Sequence, residues 1–272
     1  MSAEILTVKG VSLAFAADRA GDRAFRLLRD LSLDVPRGEI TALVGGNGAG
    51  KSTLFNIISG FQRADAGTIL FDGARIDRLS AHAIARMGIG RLFQGRQLFP
   101  TLSLLDNFAL ADDDHTGEFP FACLARPSRL RLRETAKEEE TRAILTELFG
   151  DGNKYLDMLQ TPGGAFSYGE QRMLALARLL MNDKARLFLL DEPTAGVNPA
   201  VCETIAEVIT RMVKRHGLSI LLIEHNMPFV RQIADHCAYM AGGEIAMRGA
   251  PAVVLDSPQV RASYLGLMEV SA

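Results

Sequence analysis

The run Gly45-Gly46-Asn47-Gly48-Ala49-Gly50-Lys51-Ser52-Thr53 constrains this chain more than any other stretch. It fits the phosphate-binding pattern G-x-x-x-x-G-K-[ST] without a mismatch. Ile40-Thr41-Ala42-Leu43-Val44 precedes it and reads as a buried strand, while Leu54-Phe55-Asn56-Ile57-Ile58 follows with spacing that suits a helix start. Strand, glycine loop and helix together are the context this motif requires. Glycines let successive backbone N–H groups turn inward as an anion cradle, and a helix N-terminus adds roughly half a positive charge. Lys51 is expected to reach the β- and γ-phosphates of a bound nucleotide, and the Ser52 hydroxyl to sit on Mg²⁺.

The 272 residues exceed a typical domain of roughly 100–150, which fits one nucleotide-binding α/β domain carrying a subdomain. With 48% hydrophobic and 23% charged residues the chain can bury a substantial core. The net charge of −2 offers no global field for nucleic acid, so no nucleic-acid partner is expected. Cys123, Cys202 and Cys237 are odd in number and far apart, which suggests neither a disulfide framework nor a CxxC metal site. The N-terminus lacks the features of a signal peptide, and no run approaches the roughly 20 apolar residues that span a bilayer. Work at a membrane would therefore go through partners.

Along the chain, Ile5-Leu6-Thr7-Val8 and Val11-Ser12-Leu13-Ala14-Phe15 read as short strands broken at Gly10, and residues 16–26 as an exposed hairpin or loop. Leu31-Ser32-Leu33-Asp34-Val35 alternates as a half-buried strand does. An antiparallel β start then feeds a parallel α/β core. A strand at 66–71 ends in Asp72-Gly73 turn chemistry, and short helices are expected at 81–87 and 103–110. Asp112-Asp113-Asp114 reads as a loop or helix end rather than a metal site. A helical pattern covers 129–149. Its basic neighbourhood at Arg126, Arg129, Arg131 and Arg133 reads first as a solvated face and second as a contact for lipid or a partner. Ser167 can cap a further helix through Leu174, Ala177, Leu180 and Met181, with Glu170 at the capping-box offset.

Two apolar strands end in polar groups. Leu187-Phe188-Leu189-Leu190 runs into Asp191-Glu192, and Ser219-Ile220-Leu221-Leu222-Ile223 runs into Glu224-His225. Continuous apolar strands of this kind are buried on both faces of a parallel sheet, and carboxylates at their C-terminal ends lie where α/β sheets place ligands. Pro199 begins a helix with Val201, Ile205, Val208, Ile209, Met212 and Val213 turned inward. The segment 237–249, with Gly242-Gly243 at its centre, reads as a hairpin.

In this order the motifs resemble the ATP-binding-cassette (ABC) transporter ATPases. Phe93-Gln94 is similar to that family's glutamine loop, and Ser167-Tyr168-Gly169-Glu170-Gln171 to a diverged signature motif. Asp191-Glu192 stands as its Walker B carboxylates, Ala195-Gly196-Val197-Asn198-Pro199 as its D-loop, and His225 as its switch histidine. The signature departs from Leu-Ser-Gly-Gly-Gln at Phe166, Tyr168 and Glu170. Tyr168, the Ala-Gly-x-Asn-Pro D-loop, Ile223-Glu224-His225-Asn226-Met227, the run from Ala85 to Arg91, the long segment 112–133 and Tyr264-Leu265-Gly266 resemble importer cassettes for branched-chain amino acids and urea.

The resemblance implies an α/β fold: a P-loop NTPase core with a parallel sheet, an N-terminal antiparallel β subdomain and an inserted α-helical subdomain. The ATPase domain would span 4–254, its helical part 95–182, with a tail at 255–272. ATP and Mg²⁺ are the implied ligands. Ser52, Gln94 and Asp191 would hold the metal, Glu192 would act as general base or orient the water, and His225 would contact the γ-phosphate or that water. Phe15 would stack on adenine, with Phe25 a second candidate. Ser167 and Gly169 would act in trans on a second cassette's nucleotide, and Glu170 would bring a negative charge near its γ-phosphate. Transmembrane permease subunits, and through them a periplasmic solute-binding protein, are the implied partners, at the cytoplasmic face of the inner membrane. A soluble non-transport ATPase of the same family, or a weakly hydrolysing regulatory cassette, is the alternative.

Overall fold

The computed structural model describes residues 4–15, 25–95, 98–111 and 127–264. Asp112-Asp113-Asp114, Arg126, most of the 16–26 loop and the end of the tail lie outside them. Glu4–Phe15 (β1) and Phe25–Pro36 (β2) pair antiparallel. The two short strands expected on either side of Gly10 are one strand. Gly10 takes a φ of 61° at a shift of register between Val8 and Val11, and its N–H donates to the Ser32 hydroxyl at 3.0 Å. A glycine in a strand weakens the ladder locally and admits a bulge, but the chain on both sides stays paired.

Ile40–Val44 (β3) leads through the glycine loop into Lys51–Ile58 (α1). Ala66–Phe71 (β4) and Ala74–Arg75 (β5) complete a four-stranded antiparallel sheet of order β2-β1-β4-β5. Ala81–Arg86 (α2) precedes Ile89–Leu92 (β6), and Leu104–Ala109 (α3) and Pro127–Phe149 (α4) follow. Tyr168–Arg178 (α5) comes next, then Leu187–Asp191 (β7), Pro199–His216 (α6) and Ser219–Ile223 (β8). Met227–Ile233 (α7), His236–Ala241 (β9), Glu244–Gly249 (β10), Pro251–Leu255 (α8) and Pro258–Tyr264 (α9) complete the elements of the described residues. α5 is shorter than the apolar spacing predicts: it ends at Arg178, and Leu179–Met181 continues as a 3-10 turn.

The second sheet has the order β10-β9-β3-β8-β7-β6, parallel from β9 to β6 with β10 antiparallel at its edge. Every residue of β3, β7 and β8 is buried. Alternation along these strands divides them between two cores. Ala42, Val44, Phe188, Leu190, Ile220 and Leu222 face the helical layer, where they meet Leu174, Ile205 and Ile209. Leu43, Leu187, Leu189, Leu221 and Ile223 face the antiparallel sheet and α1, where they meet Leu54, Phe55 and Phe71. Removing each of the Val, Leu, Ile and Phe side chains from water contributes about 1.5–3 kcal/mol, so both layers are held to the central sheet by its own apolar strands.

The β9–β10 hairpin turn joins the two sheets. The Arg29 N–H donates to the Gly243 carbonyl at 3.0 Å. A Cβ on Gly243, whose φ is 83°, would lie 2.3 Å from the Leu27 carbonyl oxygen. This close approach brings Leu27 beside the glycine loop. No disulfide joins Cys202 and Cys237, and burial pushes the Cys237 thiol up to about 12.

Candidate nucleotide site

The C-terminal ends of β3, β8, β7 and β6, adjacent and parallel, carry the chemistry. The loop after β3 turns through left-handed glycines, Gly48 at φ 78° and Gly50 at φ 100°, into the first turn of α1. Lys51 is only 7% exposed, and its Nζ donates to the carbonyls of Gly45 and Gly46 at 2.7 and 2.9 Å. Burial pushes its ammonium down, while the nearby charges of Glu192 and Asp191 pull it up. A cavity of about 220 Å³ is lined by Leu27, Asn47, Gly48, Ala49, Gly50, Lys51, Ser52, Thr53, Glu192 and His225. One fixed cation, a hydroxyl pair and a helix N-terminus opening into one cavity form a donor set that fits a polyphosphate and a hard cation.

Asp191 ends β7, 4% exposed. Burial pushes its carboxyl up, and the Arg91 guanidinium, 3.7 Å away, pulls it back. Glu192 takes one more step of the ladder, its N–H donating to the Ile223 carbonyl at 2.9 Å, and then turns at a φ of 49°. A left-handed glutamate costs about 1–3 kcal/mol and persists only where its surroundings hold it. Here Gln94 Nε2 donates to Glu192 Oε2 at 2.8 Å, and His225 Nε2 lies 3.2 Å from Glu192 Oε1. Gln94 therefore spends its amide nitrogen on Glu192, which leaves its carbonyl oxygen as the atom able to meet a cation.

Glu224 is a residue that sequence reasoning passed over as one polar group at a strand end. It is 2% exposed. It accepts from Thr194 N (2.8 Å), Thr194 Oγ1 (2.6 Å), His225 N (2.9 Å) and Asn226 N (3.1 Å). One buried carboxylate thus ties the segment after Glu192 to the segment carrying His225. Glu224→Ala leaves those donors without their acceptor, and a loss of about 3 kcal/mol in unfolding free energy is expected. Urea unfolding checks it; an unchanged midpoint at unchanged slope would refute the tie.

Ser167 and Gly169 lie elsewhere and do not line this cavity. Ser167 caps α5 in a capping box with Glu170, as its spacing predicts. Glu170 Oε2 accepts from Ser167 N at 2.8 Å and Oγ at 2.6 Å, and Lys154 pairs with the same carboxylate. Burial raises the Glu170 carboxyl, but the bonds from Lys154 and Ser167 outweigh it and hold it below the usual range. The negative charge expected of Glu170 is thus matched by a cation, not left bare. Gly169 packs on Val201: an added Cβ would sit 3.1 Å from Val201 Cγ1. Tyr168 covers Gly196 of the loop after β7.

Phe15 and Phe25 are cross-strand partners, 47% and 64% exposed, and neither lines the cavity. The wall on that side is Leu27. Among the described residues, no helix is long and apolar enough to cross a membrane.

The ABC transporter family pattern matches residues 28–195. The chain is similar to the high-affinity branched-chain amino acid transport ATP-binding protein BraF of Pseudomonas aeruginosa, with 32% identity over 98% of this chain and 99% of the relative. It is similar to the same extent to the corresponding protein LivG of Escherichia coli K12, with 32% identity over 98% and 99%. Its fold matches an ATP-binding cassette of an ABC transporter solved in its ADP conformation, with 27% identity, 97% and 100% coverage and a TM-score of 0.78. A buried lysine in a glycine cradle, facing carboxylates at the ends of parallel strands, is the arrangement such a likeness leads one to expect, and the chain belongs to the ABC transporter family as an ATP-binding, ATP-hydrolysing cassette.

Proposed function

We propose that this chain powers an importer of branched-chain amino acids, or of urea or a related small polar solute. The observation that carries this reading is the end-to-end likeness to BraF and LivG, both named for branched-chain amino acid transport. In it, two cassettes face each other at the cytoplasmic side of the inner membrane beneath permease subunits, which a periplasmic solute-binding protein supplies. The ATPase domain covers 4–254, its helical part lies at 95–182, and the tail at 255–272 follows.

Hydrolysis of a phosphoanhydride needs neutralised charge and an aligned water. Lys51 supports the first from within the loop of Gly45, Gly46, Asn47, Gly48, Ala49, Gly50, Ser52 and Thr53. Ser52, Gln94 and Asp191 are the residues to hold Mg²⁺, which when bound would neutralise phosphate charge. Glu192 takes or orients the proton of the attacking water, and its left-handed backbone aims it into the cavity. His225, on the other side of Glu192, stabilises charge on the departing phosphate. Phe15, or Phe25 across the strands from it, is the residue to stack on the adenine. Ser167 and Gly169 complete the site of the facing cassette, a reading supported by their absence from the lining of their own cavity.

The test is to purify the cassette with its permease and binding proteins in vesicles and to measure ATPase activity with a panel of solutes. Leucine, isoleucine, valine or urea should stimulate phosphate release. Stimulation by none of these, with stimulation by another solute class, would overturn the importer reading.

A further inference from the structure

Two arginines with nearly enclosed side chains lie beside this site, and their charge toward Asp191 leaves their other contacts unexplained. Arg172 lies on α5 and is 1% exposed. Its Nη1 donates weakly to the Phe93 carbonyl at 3.4 Å, its guanidinium carbon lies 5.5 Å from the Tyr168 ring centroid, and its Nε and Nη2 have no partner. Arg91 comes from β6. Its Nη1 donates to the Ser59 hydroxyl at 2.7 Å, its Nη2 is 3.7 Å from Asp191, and its Nε has no partner. Its guanidinium carbon also lies 4.5 Å from the Phe93 ring centroid and 5.8 Å from that of Phe61. Burying two guanidinium groups with donors unsatisfied is costly, so packing alone is a poor account of either.

Both cations converge on one residue. Arg91 holds the ring of Phe93 and Arg172 its carbonyl, and Phe93 immediately precedes Gln94, whose amide donates to Glu192. We propose that Arg91 and Arg172 form a clamp on Phe93 that positions Gln94 against Glu192. They are positioning residues; the chemistry stays with Glu192. The clamped ring also reaches the surface. Phe93 is 44% exposed and meets the 61%-exposed Phe61 edge-on, with centroids 5.4 Å apart. Arg172 further links the clamp to Tyr168, so a shift of α5 reaches Gln94 by the same side chain.

The inference rests on the reading of Gln94 and Glu192 above, and a double-mutant cycle separates the two. The proteins are Arg172→Met, Gln94→Ala and the double variant, full length and assembled with the permease. Arg172→Met should lower kcat about tenfold with KM for ATP within about twofold of wild type. In the Gln94→Ala background the same substitution should change kcat less than about twofold, because its target is gone. Arg172→Lys should not restore turnover, since an ammonium lacks the planar fork that spans a carbonyl and a ring. If Arg172→Met does not fold, Phe93→Leu, which removes the ring but leaves both arginines, runs the same cycle with the same expectation. Equal losses in both backgrounds, or no loss, would overturn the clamp. Wild-type turnover in Gln94→Ala alone would overturn the reading of Gln94 and the clamp together, whereas an impaired Gln94→Ala with additive Arg172→Met overturns only the clamp.

Discussion

Glu192→Gln is expected to bind ATP with wild-type affinity and to hydrolyse it about 10²–10⁴-fold more slowly, the range that a positioned general base contributes. The substitution removes basicity and one negative charge while keeping size and shape. Gln94 and His225, the two groups on either side of the carboxylate, retain an amide of the same outline to contact. The strained backbone at φ 49° is no harder for glutamine than for glutamate. The loop that grips the phosphates therefore remains intact while the proton acceptor is gone. Calorimetry gives the affinity and phosphate release gives the rate. Turnover at the wild-type level would remove Glu192 from the mechanism and pass the role to another group facing the cavity, such as His225, 3.2 Å from it.

Lys51→Ala is expected to weaken nucleotide binding by at least about tenfold, since hydrogen bonds to a charged group contribute about 1.5–3 kcal/mol. The ammonium is held by two loop carbonyls and is nearly enclosed, so its position is prepared before any ligand arrives. The substitution also removes one of the cations that offset the charge of Asp191 and Glu192, leaving Arg91 beside Asp191, which raises the cost of bringing a polyphosphate beside the two carboxylates. Because the same lysine bonds the loop, thermal unfolding must accompany the calorimetry. A protein that melts like the wild type and binds ATP with unchanged affinity would contradict the cradle.

Much of this site is legible in the sequence because its parts are local. The glycine loop, the Ser167–Glu170 capping box, the Pro199 helix start and the apolar strands ending in Asp191 and in Glu224 each need only a few neighbouring residues. Other features are not local. The bond between Gln94 and Glu192 joins residues 98 positions apart. Glu224 looks like any polar residue at a strand end until the chain brings Thr194 over it. Arg172, on a helix whose other buried residues are apolar, carries no pattern that marks it as enclosed. The sequence around Gly10 predicts a break between two short strands, but pairing on both sides carries β1 through it.

By itself, then, the sequence determined which chemical groups are available and which element each one ends. Backbone torsions, caps and hydrophobic periodicity are short-range properties and are written residue by residue. Only the tertiary structure decided which of those ends meet. Strand order places β3, β8, β7 and β6 side by side, and that order turns dispersed carboxylates, a glutamine and a histidine into one site while leaving Ser167 and Gly169 outside it. The physical reason is that strand neighbours are chosen by burying both faces of the central sheet, a balance summed over the two cores and visible in no single segment.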